Sequence, residues 1–145
     1  MDHELKQEII IDNYNNPFHK SHTDVEEYIK VNTNSESCID NVDIYVLFDG
    51  NKIKDIKFDG EACAISTSST SIMLRKLIGK TIDEVKELLI NYDNMINEKE
   101  YNSDLLEELN AYDEIYLKPN RKNCALLPSN AIKRAIEIYE VGNDN

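Results

Sequence analysis

The sequence predicts an α+β fold in which a small three-stranded antiparallel sheet packs against several helices. Three observations carry that prediction. Val42, Ile44, Val46 and Phe48 alternate with Asp43, Tyr45 and Leu47 ahead of the turn signal Asp49-Gly50-Asn51, and Ile53 to Phe58 resumes the extended pattern, which reads as a hairpin. Val25 to Val31 is β-branched and aromatic and supplies a third strand. Apolar residues at helical spacing occupy the first fifteen residues and much of the chain beyond Cys63.

At 145 residues the chain is long enough to bury a continuous apolar core, and one domain over 1–145 is expected. Its 41% hydrophobic residues include no run near the ~20 needed to span a bilayer. The acidic start Met1-Asp2-His3-Glu4-Leu5 lacks a signal-peptide pattern, so a soluble, cytoplasmic protein is expected. A formal charge of −12 repels phosphate, which argues against nucleic acid and anionic membrane as partners. Three widely spaced cysteines form an odd set that suits reduced or metal-bound thiols better than a disulfide framework.

Taken in order, Leu5, Ile9, Ile10 and Tyr14 predict a helix over 3–14 with these residues as its apolar stripe, ended by Asn16-Pro17. A polar loop follows that holds His19 and His22, a spacing that by itself is a weak metal signal. Asn32 to Asn41 is polar apart from Cys38 and Ile39, which places Cys38 at a solvent-accessible sheet edge. A helix is predicted from Cys63 to Ile78, closed by Gly79. Its hydroxyl-rich half has poor propensity but permits close packing, and its N-terminus favours an anionic thiolate.

Ile82, Val85, Leu88, Leu89, Tyr92, Met95 and Ile96 predict the clearest helix, with Thr81 as N-cap, and Ser103 to Tyr112 a shorter one. Residues 81–115 carry eleven acidic and two basic side chains, a solvated face that is also able to steer a basic partner. Ile132, Ala135, Ile136 and Tyr139 form the stripe of the last helix. Its start is open between Cys124, which leaves Pro128 near the end of the first turn, and a cap at Ser129.

The three thiols suggest one assembled site. Cys38 has Asp40 two residues on, a spacing that lets a loop offer thiolate and carboxylate to one ion, while Cys63 and Cys124 are each expected at a helix start. Three sulfurs and one oxygen suit a tetrahedral zinc site or a partial iron-sulfur site.

Ser37-Cys38-Ile39-Asp40, Gly60-Glu61-Ala62-Cys63-Ala64-Ile65-Ser66 and Arg121-Lys122-Asn123-Cys124-Ala125 resemble the three motifs of the IscU/NifU/SufU iron-sulfur cluster assembly proteins, in the same order and with similar separations. Asn13-Tyr14-Asn15-Asn16-Pro17 resembles the segment after that family's first helix, so the similarity covers nearly the whole chain. The acidic segment at about 80–118, opening with Gly79-Lys80-Thr81-Ile82, is similar to the insertion of the SufU branch. Asn123 stands where IscU-type proteins carry a histidine. Ile39 and Ala62 occupy positions where the family usually has glycine, and side chains there resist a left-handed backbone.

The resemblance implies a zinc ion held by Cys38, Asp40, Cys63 and Cys124, with Arg121 as a cation close to the thiolates. It further implies a SufS-like cysteine desulfurase as partner; Cys38, as the most accessible thiol, is expected to accept its persulfide sulfur for onward delivery to iron-sulfur apoproteins or a scaffold complex. An alternative in the same family is a scaffold on which a [2Fe-2S] cluster assembles at the same residues. A different class of reading is a non-catalytic, zinc-stabilised interaction module that uses its acidic helices.

Overall fold

The computed structural model describes residues 1–34 and 40–143. The expected hairpin forms between β2 (Asn41–Asp49) and β3 (Lys52–Glu61), which pair antiparallel from Asn41↔Glu61 to Asp49↔Lys52 with an irregularity at Leu47/Phe48. Gly50 takes the positive φ of 60° in the connecting turn. A strand β1 (Ile29–Asn34) pairs along the other side of β2, giving the order β1-β2-β3. It starts later than Val25, because the chain turns first: Tyr28 N–H donates to the Val25 carbonyl at 3.2 Å, and the Tyr28 hydroxyl donates to Asp55 at 2.6 Å.

Five α-helices accompany the sheet among the described residues: α1 (His3–Asn15), α2 (Ala64–Leu77), α3 (Ile82–Ile96), α4 (Ser103–Leu106) and α5 (Pro119–Asn143). Among the described residues, no helix is long and apolar enough to cross a membrane. Ile44, Val46, Ile53, Ile56 and Phe58 of the sheet join Leu74 and Leu77 of α2, Leu89 and Tyr92 of α3, and Ile132 and Ile136 of α5 in one apolar core. α3 starts as expected, on a reciprocal capping box between Thr81 and Glu84 that satisfies two orphan N–H groups.

The face of α1 differs from the expected stripe. Ile9 and Ile10 pack against the core as expected, but Leu5 and Tyr14 are 44% and 47% exposed, while Lys6 and Asn13 are buried. Polar contacts explain the rotation: Lys6 pairs with Asp113 at 2.6 Å and Glu114 at 2.7 Å, and Asn13 accepts from the Ser71 hydroxyl at 2.9 Å. Buried polar groups of this kind are tolerated because each is paired.

The helix expected over 103–112 is divided. α4 ends at Glu107, whose φ of 48° breaks the helical path, and 3-10 turns continue over Glu107–Tyr112 and Ile115–Leu117. Asn110 caps the break by donating to the carbonyls of Ser103 at 2.8 Å and Glu107 at 2.9 Å. α5 begins earlier than either expected start. Pro119 sits in the first helical position, where a proline loses nothing, and the helix runs on through Pro128.

Candidate metal centre

Cys63 is the N-cap of α2, with extended backbone (φ −68°, ψ 171°) and a sulfur that accepts the Ser66 N–H at 3.4 Å. The loop that delivers it is set by Gly60. At φ 131°, a Cβ on this residue would lie 2.2 Å from the Asn41 carbonyl oxygen. Glycine alone permits that approach, which draws the end of β3 onto the start of β2 and so brings the Cys63 loop against Asp40. Ala62 is not among the residues with positive φ, so the alanine needs no left-handed backbone.

Asp40 is buried, and both of its oxygens are engaged. Oδ1 accepts the Cys63 backbone N–H at 2.7 Å, and Oδ2 accepts the Ser66 hydroxyl in a short hydrogen bond. A carboxylate in this place also meets the positive end of the α2 dipole. Cys124 arrives from α5. It lies in the second turn rather than at the helix start, and it is fully buried. A carboxylate oxygen of Asp40 and the sulfurs of Cys63 and Cys124 all lie within 4.8 Å of one another.

The structure thus gathers three of the four expected ligands, while Cys38, Ile39 and the accessibility expected of that thiol lie outside the described residues. Two thiols and a carboxylate fit the donor preferences of zinc, and a further thiol would complete four-coordination. The histidines do not join this group. His19 sits 3.1 Å from the Ile56 carbonyl, and His22 lies between Asp24 at 2.7 Å and Tyr45 at 3.0 Å. Arg121, in the first turn of α5, lines with Cys63, Ile65, Ile115 and Lys118 a pocket of about 190 Å³.

The wall behind the site is polar and buried. Ser68 shares a hydrogen bond of 2.5 Å with the Tyr112 hydroxyl, and Tyr92 donates to the Ala125 carbonyl at 2.7 Å. Burial pushes both phenols up, and for Tyr112 the neighbouring Cys63 adds to the rise while the Ser68 bond opposes it. Both therefore stay protonated near neutral pH.

The family model for the NifU-like N-terminal domain matches residues 5–144. The chain belongs to this family. Among relatives in the iron-sulfur cluster assembly branches, it is 31% identical over 140 residues to the zinc-dependent sulfurtransferase SufU of Bacillus subtilis, covering 96% of this chain and 94% of that one. It is 32% identical over 134 residues to the iron-sulfur cluster assembly scaffold protein IscU of Streptococcus pyogenes, covering 92% and 83%. The crystal structure of a putative SUF-system scaffold protein from Fervidobacterium islandicum superposes with a TM-score of 0.79 at 35% identity, covering 92% of this chain and 97% of that one. The NifU-like membership and the α+β architecture are those the motifs imply.

Ser66 went unremarked in the sequence as a site residue, although it sits in the same motif as Cys63. The available signal was its spacing: a residue three positions after an N-cap is placed to exchange hydrogen bonds with it.

Proposed function

We propose that this chain is a zinc-dependent sulfur acceptor in iron-sulfur cluster assembly, taking persulfide sulfur from a cysteine desulfurase in a reducing cytoplasm. The observation that carries the reading is the convergence of Asp40, Cys63 and Cys124 on one point. Similarity to a zinc-dependent sulfurtransferase supports it. Cys38, Asp40, Cys63 and Cys124 would hold the zinc, which when bound lowers thiol pKa and keeps sulfur nucleophilic near neutral pH.

Cys38 is the acceptor. Its thiolate attacks the outer sulfur of the desulfurase persulfide, a new S–S bond forms on Cys38, the donor's S–S bond breaks, and the donor cysteine leaves as thiolate. Cys63, fixed as the cap of a rigid helix, and buried Cys124 serve as anchors. Arg121 places positive charge beside the pocket at Cys63, where anionic sulfur is stabilised. The sulfur then passes to iron-sulfur apoproteins or a scaffold complex.

Mass-spectrometric mapping after mixing zinc-loaded protein with desulfurase and cysteine tests the assignment. One added sulfur is expected on Cys38 and none on the Cys38→Ser protein; persulfide acceptance by that variant would refute it. Chelation should lower the melting temperature, with recovery on adding zinc, because binding energy at such a site is also folding energy.

Similarity to the IscU of Streptococcus pyogenes favours a second reading, a scaffold for a [2Fe-2S] cluster at the same residues. Asn123 in place of the histidine weighs against it. Anaerobic reconstitution yielding a stable, transferable chromophore would select the scaffold. Desulfurase turnover unaffected by the protein would instead select a non-catalytic interaction module.

A further inference from the structure

We propose that Ser66 is a positioning residue of the metal centre, holding the Asp40 carboxylate in one arrangement against α2. The proposal rests on the ligand set above and adds a residue to it. Ser66 is fully buried, and its hydroxyl reaches all three members of the donor cluster: it donates to Asp40 Oδ2, lies 3.5 Å from Cys63 Sγ and stands 3.2 Å from the Cys124 carbonyl oxygen.

Each contact has its own cause. Asp40 already receives the Cys63 N–H on Oδ1, so a second donor on Oδ2 fixes the plane of the carboxylate. Either oxygen retains a lone pair for a metal ion. The Cys124 carbonyl oxygen also lies within reach of the Ser66 hydroxyl, at 3.2 Å. In a continuous helix that carbonyl accepts the N–H of the residue four positions on, and proline has none. The Ser66 hydroxyl approaches it from α2 across to α5. One small side chain thus links β2's approach, the cap of α2 and the second turn of α5.

Small size matters as much as the hydroxyl. Ser66 is packed without exposed surface between two helices, where a longer donor such as glutamine has no room. Alanine would keep the packing and delete the proton that Asp40 Oδ2 accepts, leaving a buried acceptor under-satisfied.

The test is zinc affinity, read by competition with a chromophoric chelator, in wild type, Ser66→Ala, Asp40→Ala and the Ser66→Ala/Asp40→Ala double variant. Loss of a hydrogen-bond partner to a metal ligand is expected to weaken zinc by about 10–100-fold in Ser66→Ala. In the Asp40→Ala background the alanine at 66 should add no more than about twofold, because the carboxylate through which it acts is gone. Cobalt(II) loaded in place of zinc should show shifted d–d bands in Ser66→Ala, with the thiolate charge-transfer intensity retained.

Wild-type affinity in Ser66→Ala would overturn the proposal, as would an undiminished alanine effect without Asp40. Those results leave the metal centre standing if Cys63→Ser and Cys124→Ser still weaken zinc. Zinc binding indifferent to Cys63, Cys124 and Asp40 together would remove the metal centre itself and the role of Ser66 with it.

Discussion

The backbone N–H of Cys63 donates to Oδ1 of Asp40 at 2.7 Å, joining two residues 23 positions apart at the point where the sheet hands the chain to α2. The bond makes the carboxylate part of the helix cap as well as a candidate ligand. Charge-assisted bonds of this type are roughly twice as strong as neutral ones, and the helix N-terminus adds to the preference for an anion.

Replacing Asp40 by asparagine is therefore expected to destabilise the protein even with zinc removed. An amide retains one acceptor for the Cys63 N–H but loses the charge, at a cost of about 1–2 kcal/mol; alanine loses both bonds and costs about 2–3 kcal/mol. Denaturant titration in the presence of a chelator measures both. Equal stability of wild type and Asp40→Ala under those conditions would show that the carboxylate has no role in the cap.

Gly60→Ala should be among the most damaging single substitutions outside the ligands. The added methyl carbon would sit 2.2 Å from the Asn41 carbonyl oxygen, at a backbone φ of 131° that side chains disfavour. A loss of about 2–4 kcal/mol is expected, together with weaker zinc binding as Asp40 and the Cys63 loop move apart. Gly50→Ala is the control for conformation without collision, since nothing lies within 4 Å of a Cβ there.

The buried Lys6 predicts a pH dependence. Hydrogen bonds that Lys6 donates to Asp113 and then Glu114 hold its ammonium above the usual 10.5, and the same bond holds Glu114 below 4.5. The raised lysine contributes stability that is complete below its unfolded value and is lost as pH rises through the higher folded one. The depressed carboxyl contributes stability present above 4.5 and lost as pH falls through its folded value. Lys6→Met should thus lower the melting temperature by about 2–4 °C near neutral pH, with the gap to wild type narrowing at both extremes. A gap constant from acid to alkali would mean that the pair contributes through packing alone.

Much of this molecule was legible from the sequence because its strongest signals are local. Alternation from Val42 to Phe48, the Asp-Gly turn, the Thr81 cap and the 3.6-residue spacing of α3 each depend on near neighbours, and the structure contains all of them. The site motifs were legible for a related reason: Cys63 and Asp40 carry reactive groups whose residue types announce them. The chain alone also pointed to Cys63 as a thiol at a strand-to-helix junction, where it does lie.

Tertiary structure decided what depends on partners distant in sequence. Whether α1 buries Leu5 or Lys6 is set by Asp113 and Glu114, more than a hundred residues away, because a paired lysine can be buried at a cost that an unpaired one cannot meet. The start of α5 at Pro119 places Cys124 inside the helix, and local propensity near Pro128 favoured a later start. The convergence on Ser66 has the same origin. A serine in a run of hydroxyls carries no mark of its role until folding brings Asp40 and the Cys124 carbonyl to the same oxygen.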